Sequence, residues 1–441
     1  MTGFRNSALL CLALLVGFLT VTLTVTLGAG PVQAHGERVQ EPFFRMRSFQ
    51  FFDVSWSNTK IGVNEELDMK AKVYLMKDWP DSISRPKLIY VTLSSAGPVV
   101  VKKSSYLNGV PARQSIKNLE LGKVYDYEMT LIGRIPGRWH IHPGIAVYGA
   151  GPIVGAGEWI EISGSHSDFV LPIQTMTGET IENLETYGFL NVGMWHLIWA
   201  VIAAAWLLFW LLRPLLIPRM IALQAGREDL LIRRSDVIVG ASLLILSLVL
   251  VAVSFGMGIT AHPNRTPLQI TVNEVPDIDQ PPMDVTLKLN RATYDVPGRA
   301  MRINFDATNT GDTALVLGEF TTSSLRFIDM KVPQAVARLD PKFPKDWVPQ
   351  GGLQVDNNSP LLPGETRTYS VAAIDVAWEL ERLTSFVTDV DSRFGGLFFF
   401  YESDGTRHLS EIAGPILPVF QGADGVVSKA ADVEIAAADQ R

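Results

Sequence analysis

LDMKAKVYL, residues 67–75, alternates apolar and polar side chains along its whole length. Every odd-numbered position is apolar, and every even-numbered position carries a charged or aromatic polar side chain. A period of two predicts a half-buried β-strand. MRINFDA at 301–307 has the same period and precedes a turn sequence, NTGD, at 309–312. We therefore expect a mainly β chain with an antiparallel sandwich in each half.

Two stretches between these halves have no Asp, Glu, Lys or Arg. They are VGMWHLIWAVIAAAWLLFWLL at 192–212 and VIVGASLLILSLVLVAVSFGMGIT at 237–260. A helix of about 20 apolar residues crosses the ~30 Å hydrocarbon layer of a membrane. Charged residues make up 19% of the chain and its mean hydropathy is +0.18, values that also favour a membrane portion. We expect a transmembrane helical hairpin that contacts membrane lipid.

The distribution of basic residues predicts the orientation of this hairpin. Residues 213–236 contain five arginines, whereas residues 171–191 contain no Lys or Arg. The positive-inside bias places the loop 213–236 in the cytoplasm and both β-rich segments in the periplasm. At the N-terminus, Arg5, an apolar run at 8–28 and the sequence VQA at 32–34 are typical of a signal peptide, which also requires export.

These patterns predict five segments in a multi-pass protein of the cytoplasmic (inner or intracytoplasmic) membrane. They are a signal peptide at 1–34, a periplasmic domain at 35–188, a membrane hairpin at 189–262, a second periplasmic domain at 263–421, and a flexible tail at 422–441. Residues 270–284, which are rich in Pro, Asp and Glu, are expected to link the hairpin to the second domain.

Composition excludes several kinds of site. The single cysteine, Cys11, falls within the signal peptide, so the mature chain would hold none. Disulfides, Cys-ligated zinc, iron–sulfur clusters and blue-copper centres all require cysteine sulfur. The formal charge of −7 becomes −8 once Arg5 is removed, with 37 basic residues (38 − 1) against 45 acidic ones. We expect no nucleic-acid partner for such an acidic exported chain.

Three of the seven histidines indicate a metal site. Cleavage after Ala34 would make His35 the N-terminal residue, whose free amine and imidazole can both bind one ion. In GRWHIHPG, residues 137–144, His140 and His142 would point to one face of a strand with Cα atoms ~6.6 Å apart. Pro143 and Gly144 are expected to end that strand and place the pair at its rim. The alternatives are that any residue can follow a signal peptide and that the pair is an exposed feature of an edge strand.

A donor set of imidazoles and an amine favours copper, which heads the affinity order of the divalent first-row metals, over zinc. The other histidines are weaker candidates for metal ligands. His196 lies within the first apolar span, and His166, His262 and His408 have no partner at a spacing useful for metal binding. We assign them no metal.

Further motifs extend this pattern: HGERVQEPFFRMRS, GAGPIVGAGEWIEI, VPGRAMRINFDATNTGD, LGEFTTSSLRF, LLPGETRTYSV, DSRFGGLFFF and the two apolar spans. Together with GRWHIH, they resemble the B subunit of the copper membrane monooxygenases, which include particulate methane, ammonia and short-chain alkane monooxygenases. The resemblance covers residues 35 to about 420. It implies two cupredoxin-like domains, copper ligands at His35, His140 and His142, A and C partner subunits in a trimer of heterotrimers, and quinol as reductant.

The sequence departs from some of these relatives at two positions. Gln50 and Tyr74 stand where certain members have histidine, so a further copper there is not expected.

Two functions follow from the sequence. The first is a subunit of a complex that inserts oxygen from O2 into methane, ammonia or a short alkane. The alternative is a periplasmic copper carrier or scaffold without oxygenase chemistry. No acid–base pair or nucleophile identifies a catalytic residue in this chain.

Overall fold

The computed structural model describes residues 40–175, 177–212, 216–263, 272–339, 341–387 and 392–420, and its secondary structure is mainly β. The chain divides into two compact units, residues 170–269 and the remainder on either side of them. The predicted signal peptide with Cys11, the predicted ligand His35 and the predicted tail at 422–441 lie outside the described residues.

The described residues before 170 include a short helix and eleven strands. They are α1 (Pro42–Arg47), β1 (Phe49–Trp56), β2 (Lys60–Gly62), β3 (Glu66–Leu75), β4 (Leu88–Ser94), β5 (Val100–Leu107), β6 (Val110–Pro111), β7 (Ser115–Lys117), β8 (Val124–Gly133), β9 (Gly137–Val147), β10 (Gly151–Val154) and β11 (Glu158–Ser163).

Residues 170–269 hold the predicted apolar segments. The elements are β12 (Ile173–Gln174), β13 (Thr180–Ile181), α2 (Phe189–Leu211), α3 (Leu216–Gln224) and α4 (Arg234–Ala261). Both apolar stretches are helical, and α2 and α4 are each long and apolar enough to cross a membrane. Large apolar side chains are exposed along both helices, for example Leu197 and Leu248. A helix without a polar face suits hydrocarbon better than water.

After residue 269 the chain is again β-rich. Its elements are β14 (Val272–Asn273), β15 (Val285–Asp295), β16 (Ala300–Asn309), β17 (Val316–Thr322), β18 (Leu325–Ile328), α5 (Pro333–Ala337), β19 (Leu353–Val355), β20 (Thr366–Ile374), α6 (Ala377–Leu380), β21 (Arg393–Tyr401), β22 (Arg407–Pro415) and β23 (Leu417–Val419).

The first sheet pair consists of a five-stranded sheet, ordered β1-β3-β8-β5-β6, and a seven-stranded sheet, ordered β14-β7-β4-β9-β11-β2 with β10 on β9. In β3, Leu67, Met69 and Val73 are buried as the alternation predicted. Tyr127 of β8 crosses from one sheet to the other, because its hydroxyl lies 3.2 Å from the Thr92 carbonyl oxygen of β4. The two sheets therefore enclose a common core.

The second sheet pair has the orders β19-β20-β16-β15-β23 and β18-β17-β21-β22. Alternate residues of β16 are buried, Met301, Ile303 and Phe305 among them, which confirms the second predicted period. Phe305 stacks on Phe398 of the facing sheet with ring centroids 4.7 Å apart. Strand β16 ends at Asn309, where the NTGD turn was predicted.

The two sheet pairs belong to one compact unit and share a continuous apolar core. A second apolar cluster, which includes Phe52, Val124, Phe399 and Leu409, draws on both pairs. The predicted linker also packs on the first pair, since the Gln280 side chain bonds both the amide and the carbonyl of Val124. The boundary between two separate domains stays a prediction.

Two expectations about the strands were wrong in detail. Not every pairing is antiparallel, because β11–β2, β14–β7 and β15–β23 pair in parallel. Strand β9 also continues through Pro143 and Gly144 to Val147 instead of ending there. Gly144 fits because its missing side chain leaves room for Thr92, whose hydroxyl oxygen would lie 2.8 Å from an added Cβ.

Candidate metal centre

The histidine pair lies where strand β9 changes partners. Residues 137–141 pair with β11, and residues 142–147 pair with β4. His140 therefore stands opposite Trp159, whereas His142 stands opposite Ser94. The pair lies within the seven-stranded sheet and not at the end of a strand.

The two imidazoles converge as their spacing predicted. Their ring centroids are 4.3 Å apart, and Nε2 of His142 lies 3.1 Å from Nδ1 of His140. His142 is 2% exposed, and His140 is half-buried. Two ring nitrogens thus face each other at the border between the protein interior and its surface.

A backbone carbonyl determines which nitrogen of His142 carries hydrogen. Nδ1 of His142 lies 2.9 Å from the carbonyl oxygen of Gly155. A carbonyl can only accept, so Nδ1 carries a hydrogen, and in the neutral ring Nε2 has the lone pair that faces Nδ1 of His140. A hydrogen bond from the second ring nitrogen is the usual way in which proteins orient a metal-binding histidine.

His140 is held by an aromatic neighbour. The Trp159 ring stacks on its imidazole with centroids 4.8 Å apart and 21° between the planes. The Arg138 guanidinium lies 4.7 Å from the centroid of the same indole. Burial raises the pKa of the adjacent Glu158 carboxyl, with a smaller upward contribution from Asp346, while Arg138 opposes the rise.

Two glycines in GAGPIVGAG make room for aromatic rings, Gly157 for the imidazole of His142 and Gly155 for the ring of Phe51. In this stretch the structure has a turn followed by β10 and a loop at 155–157. A Cβ on Gly157 would lie 2.5 Å from Cε1 of His142, and one on Gly155 would lie 2.6 Å from the Phe51 ring. Neither position accepts a side chain unless its aromatic neighbour moves.

The described chain begins close to this centre. The Gln40 side-chain amide donates to the carbonyl of Pro152, and its oxygen lies 3.4 Å from the amide nitrogen of Val154. Both partners belong to β10, whose Val154 pairs with Gly144 of β9. Gln40 is thereby attached to the strand that pairs with β9 beside the histidine pair.

Of the three predicted ligands, the structure brings together His140 and His142, while His35 is not among the described residues. Within the described ranges, no group of three or more His, Cys, Asp or Glu side chains is placed to hold a metal ion. The described residues therefore bring together two of the three predicted ligands.

Sequence reasoning missed the neighbours of the histidines. Trp159 is close in sequence, and the strand pairing of GRWHIH with GEWIEI could have indicated it. The ring centroid of Trp347 lies 6.3 Å from that of His142. Trp347 belongs to the second half of the chain, and no sequence pattern near the histidines indicates this contact.

His408 is 3% exposed, and its Nε2 lies 2.8 Å from a Glu402 oxygen, a contact that sequence spacing did not suggest.

Comparison with known proteins identifies the family. The model of a family described as the monooxygenase B-subunit proteins matches residues 36–420. The protein named particulate methane monooxygenase alpha subunit from Methylococcus capsulatus (Bath) is 39% identical over 406 residues, which are 92% of this chain and 97% of that protein.

Two solved structures have only distant similarity to this chain. The cupredoxin domain of amoB from Nitrosocaldus yellowstonii is 14% identical and covers 28% of this chain and 91% of its own, with a TM-score of 0.22. The Yersinia pseudotuberculosis adhesin InvE is 8% identical and covers 82% of this chain and 60% of its own, with a TM-score of 0.15. Such low scores carry no argument about the fold or the site. The family model and the methane monooxygenase relative show that this chain belongs to the family of monooxygenase B subunits.

Proposed function

We propose that this chain is the copper-binding B subunit of a membrane-bound copper monooxygenase, and that His35, His140 and His142 hold the copper. The observation that carries the proposal is the pair of imidazole nitrogens 3.1 Å apart on one face of a strand. Metal–nitrogen bonds of about 2.0–2.1 Å at roughly a right angle separate two nitrogens by about 3 Å. The two nitrogens are within hydrogen-bonding distance of each other, and the same separation suits two ligands of one ion.

The position of Gln40 supports His35 as the third ligand. His35 lies five positions before Gln40, and five extended residues span at most about 18 Å. Gln40 is bonded to β10, and the residue that follows β10, Gly155, provides the carbonyl that bonds His142. An N-terminus starting at His35 is therefore within reach of the imidazole pair.

The donor set fits copper. Three imidazoles and an amine are all nitrogen ligands, and such sites favour copper over earlier first-row metals. Bound copper would supply one-electron redox chemistry and the activation of O2. The chain's own residues would keep Nε2 of His142 and Nδ1 of His140 directed at the ion, and the Trp159 stack would restrict rotation of the His140 ring.

The remaining parts of the proposal concern the membrane and the partners. Helices α2 and α4 would form the transmembrane hairpin, with residues 213–236 in the cytoplasm and both sheet pairs in the periplasm. A and C subunits would complete a trimer of heterotrimers, and quinol would be the reductant. The relative from Methylococcus is itself named as a subunit, which supports an assembly of several chains.

The substrate proposed for the complex is methane, ammonia or a short alkane, because the 39% identical relative is named for methane. Native membranes assayed with methane, ammonia and butane, before and after copper chelation, test this function. We expect copper-dependent oxidation of at least one of the three. Copper binding by the purified chain without any oxidation by membranes that contain all subunits would favour the carrier or scaffold function instead.

A further inference from the structure

The second sheet pair contributes one side chain to the surroundings of the histidines. Trp347 ends a short 3-10 helix at Lys345–Trp347 and is 3% exposed. Its indole N–H donates to the carbonyl oxygen of Gly157 over 2.9 Å. Its ring also meets that of His142 edge to face, with an angle of 83° between the planes.

The loop 155–157 lies between Trp347 and His142. The Gly155 carbonyl bonds Nδ1 of the imidazole, and Gly157 lies directly against the ring, with no room for a Cβ. The Gly155 amide donates to the carbonyl of Pro143, which fastens the start of the loop to β9. The end of the loop is held through the Gly157 carbonyl by Trp347.

We propose that Trp347 is a positioning residue for the metal centre. By bonding the Gly157 carbonyl, it holds the loop 155–157 against His142, so that Nδ1 stays bonded to Gly155 and Nε2 stays directed at His140. This inference rests on the proposed copper site, and it makes the second sheet pair, which supplies no ligand, part of the site's geometry.

The expected loss of copper affinity can be estimated from other residues that orient a metal-binding histidine without binding the metal. Groups that orient a metal-binding histidine typically change metal affinity by about 10- to 100-fold when they are removed. Trp347 acts through one intervening carbonyl, so we expect the lower end of that range.

Trp347→Phe removes the indole N–H and keeps an aromatic ring in the core. Trp378→Phe is the matched control, because Trp378 is also buried in the second sheet pair and its indole donates to a backbone carbonyl, that of Ala373, over 3.0 Å. Trp378 packs on Tyr294 and Phe327. Both variants lose the same kind of bond, but only the first loses one at the loop 155–157.

The measurements are copper affinity of the detergent-solubilised full chain, by competition with a chelator, and the EPR nitrogen hyperfine pattern of the Cu(II) form. We expect Trp347→Phe to weaken affinity about tenfold and to change the hyperfine pattern, and Trp378→Phe to change neither. Equal behaviour of the two variants would overturn the positioning role.

Gly157→Ala provides a second variant should Trp347→Phe fail to fold. It leaves the core of the second sheet pair intact but pushes a methyl group into the imidazole. A loss of affinity like that expected for Trp347→Phe supports the role of the loop, and unchanged affinity contradicts it. If copper binding by the unaltered chain does not depend on His140 and His142, the proposed copper site fails, whatever the tryptophan variants do.

Discussion

Two sets of neighbouring side chains in the first sheet pair differ in what they can bind. One is His140 and His142, and the other is Gln50 and Tyr74. The histidines lie on one strand, and their ring nitrogens face each other. Gln50 and Tyr74 are direct partners across β1 and β3. Both pairs are buried or half-buried, yet only the first presents two nitrogens to a common point.

The Gln50 amide is fully engaged by backbone groups. Its Nε2 donates to the carbonyls of Arg45 and Met46 at the end of α1, over 2.9 and 2.7 Å. Its Oε1 accepts from the amide of Ser323, in the turn between β17 and β18, over 2.9 Å. The side chain thereby ties the first sheet pair to the second.

Tyr74 makes a similar connection. Its hydroxyl donates to Glu411 of β22 over 2.9 Å, and the same carboxylate accepts from the amides of Lys77 and Asp78. Burial raises the pKa of the Tyr74 phenol, and the negative charge of Glu411 raises it further. A protonated phenol is a poor metal ligand. Gln50 and Tyr74 instead connect the two sheet pairs through their hydrogen bonds, and we call this pair of contacts the joint. The histidine pair, in contrast, is suited to binding an ion.

Substitutions in the histidine pair and in the Gln50–Tyr74 pair should differ most in their effect on the copper content of the chain. Replacing both His140 and His142 with Ala should remove one copper per chain, or weaken its binding at least tenfold, which is ~1.4 kcal/mol. His166→Ala, which removes an exposed imidazole bonded to the Arg134 carbonyl, is the control and should keep the metal. Metal analysis with EPR checks this. Unchanged stoichiometry and hyperfine pattern in the double variant would place the copper elsewhere.

Acid should destabilise the second sheet pair through Glu319 of β17. Burial alone would raise the pKa of its carboxyl, but the bidentate Arg326 guanidinium, with further contributions from Arg407 and Tyr401, lowers it to about 2. A carboxylate with a depressed pKa stabilises the fold above its unfolded pKa of about 4.5 and loses this contribution as pH falls toward 2.

Glu319→Gln should lower the free energy of unfolding at neutral pH by about 3 kcal/mol, because it leaves Arg326 buried without its anion. It should also flatten the decline in stability between about pH 4.5 and pH 2. Unfolding followed by tryptophan fluorescence at several pH values measures both effects. A variant with the same pH dependence as the unaltered chain would contradict this assignment.

Gln50→Ala should lower the free energy of unfolding and leave copper binding unchanged. Two carbonyls and one amide lose a buried partner, and we expect the free energy of unfolding to fall by about 2 kcal/mol. Gln354→Ala, at an exposed position of β19, is the control and should stay within about 0.5 kcal/mol of the unaltered chain. Chemical unfolding and metal analysis of both variants give the answer. If Gln50→Ala lost as much copper as the double histidine variant, the conclusion that only the histidine pair binds copper would be wrong.

Tyr74→Phe should have the smallest effect, about 1 kcal/mol, because Glu411 keeps its bonds to the amides of Lys77 and Asp78. Copper binding should again be unchanged. Tyr148→Phe, which alters a 71% exposed side chain, provides the baseline for loss of a hydroxyl. If Tyr74→Phe proves as neutral as this control, the hydroxyl does not contribute to the joint.

Much of the fold was predictable because its signals are local. The period of two in 67–75 and 301–307 identified strands β3 and β16, and the apolar stretches identified helices α2 and α4. The extent of β9 was not predictable, since its continuation past Pro143 depends on β4 and β10, which pair with that part of the strand.

The histidine spacing by itself determined that two imidazoles share one face, because side chains two apart on a strand always do. Only the tertiary structure decided what surrounds them and what became of Gln50 and Tyr74. Trp347 bonds a carbonyl 190 residues away, and Gln50 and Tyr74 bond partners 273 and 337 residues away. Contacts at such separations arise when the two sheet pairs pack together, and local periodicity carries no information about them.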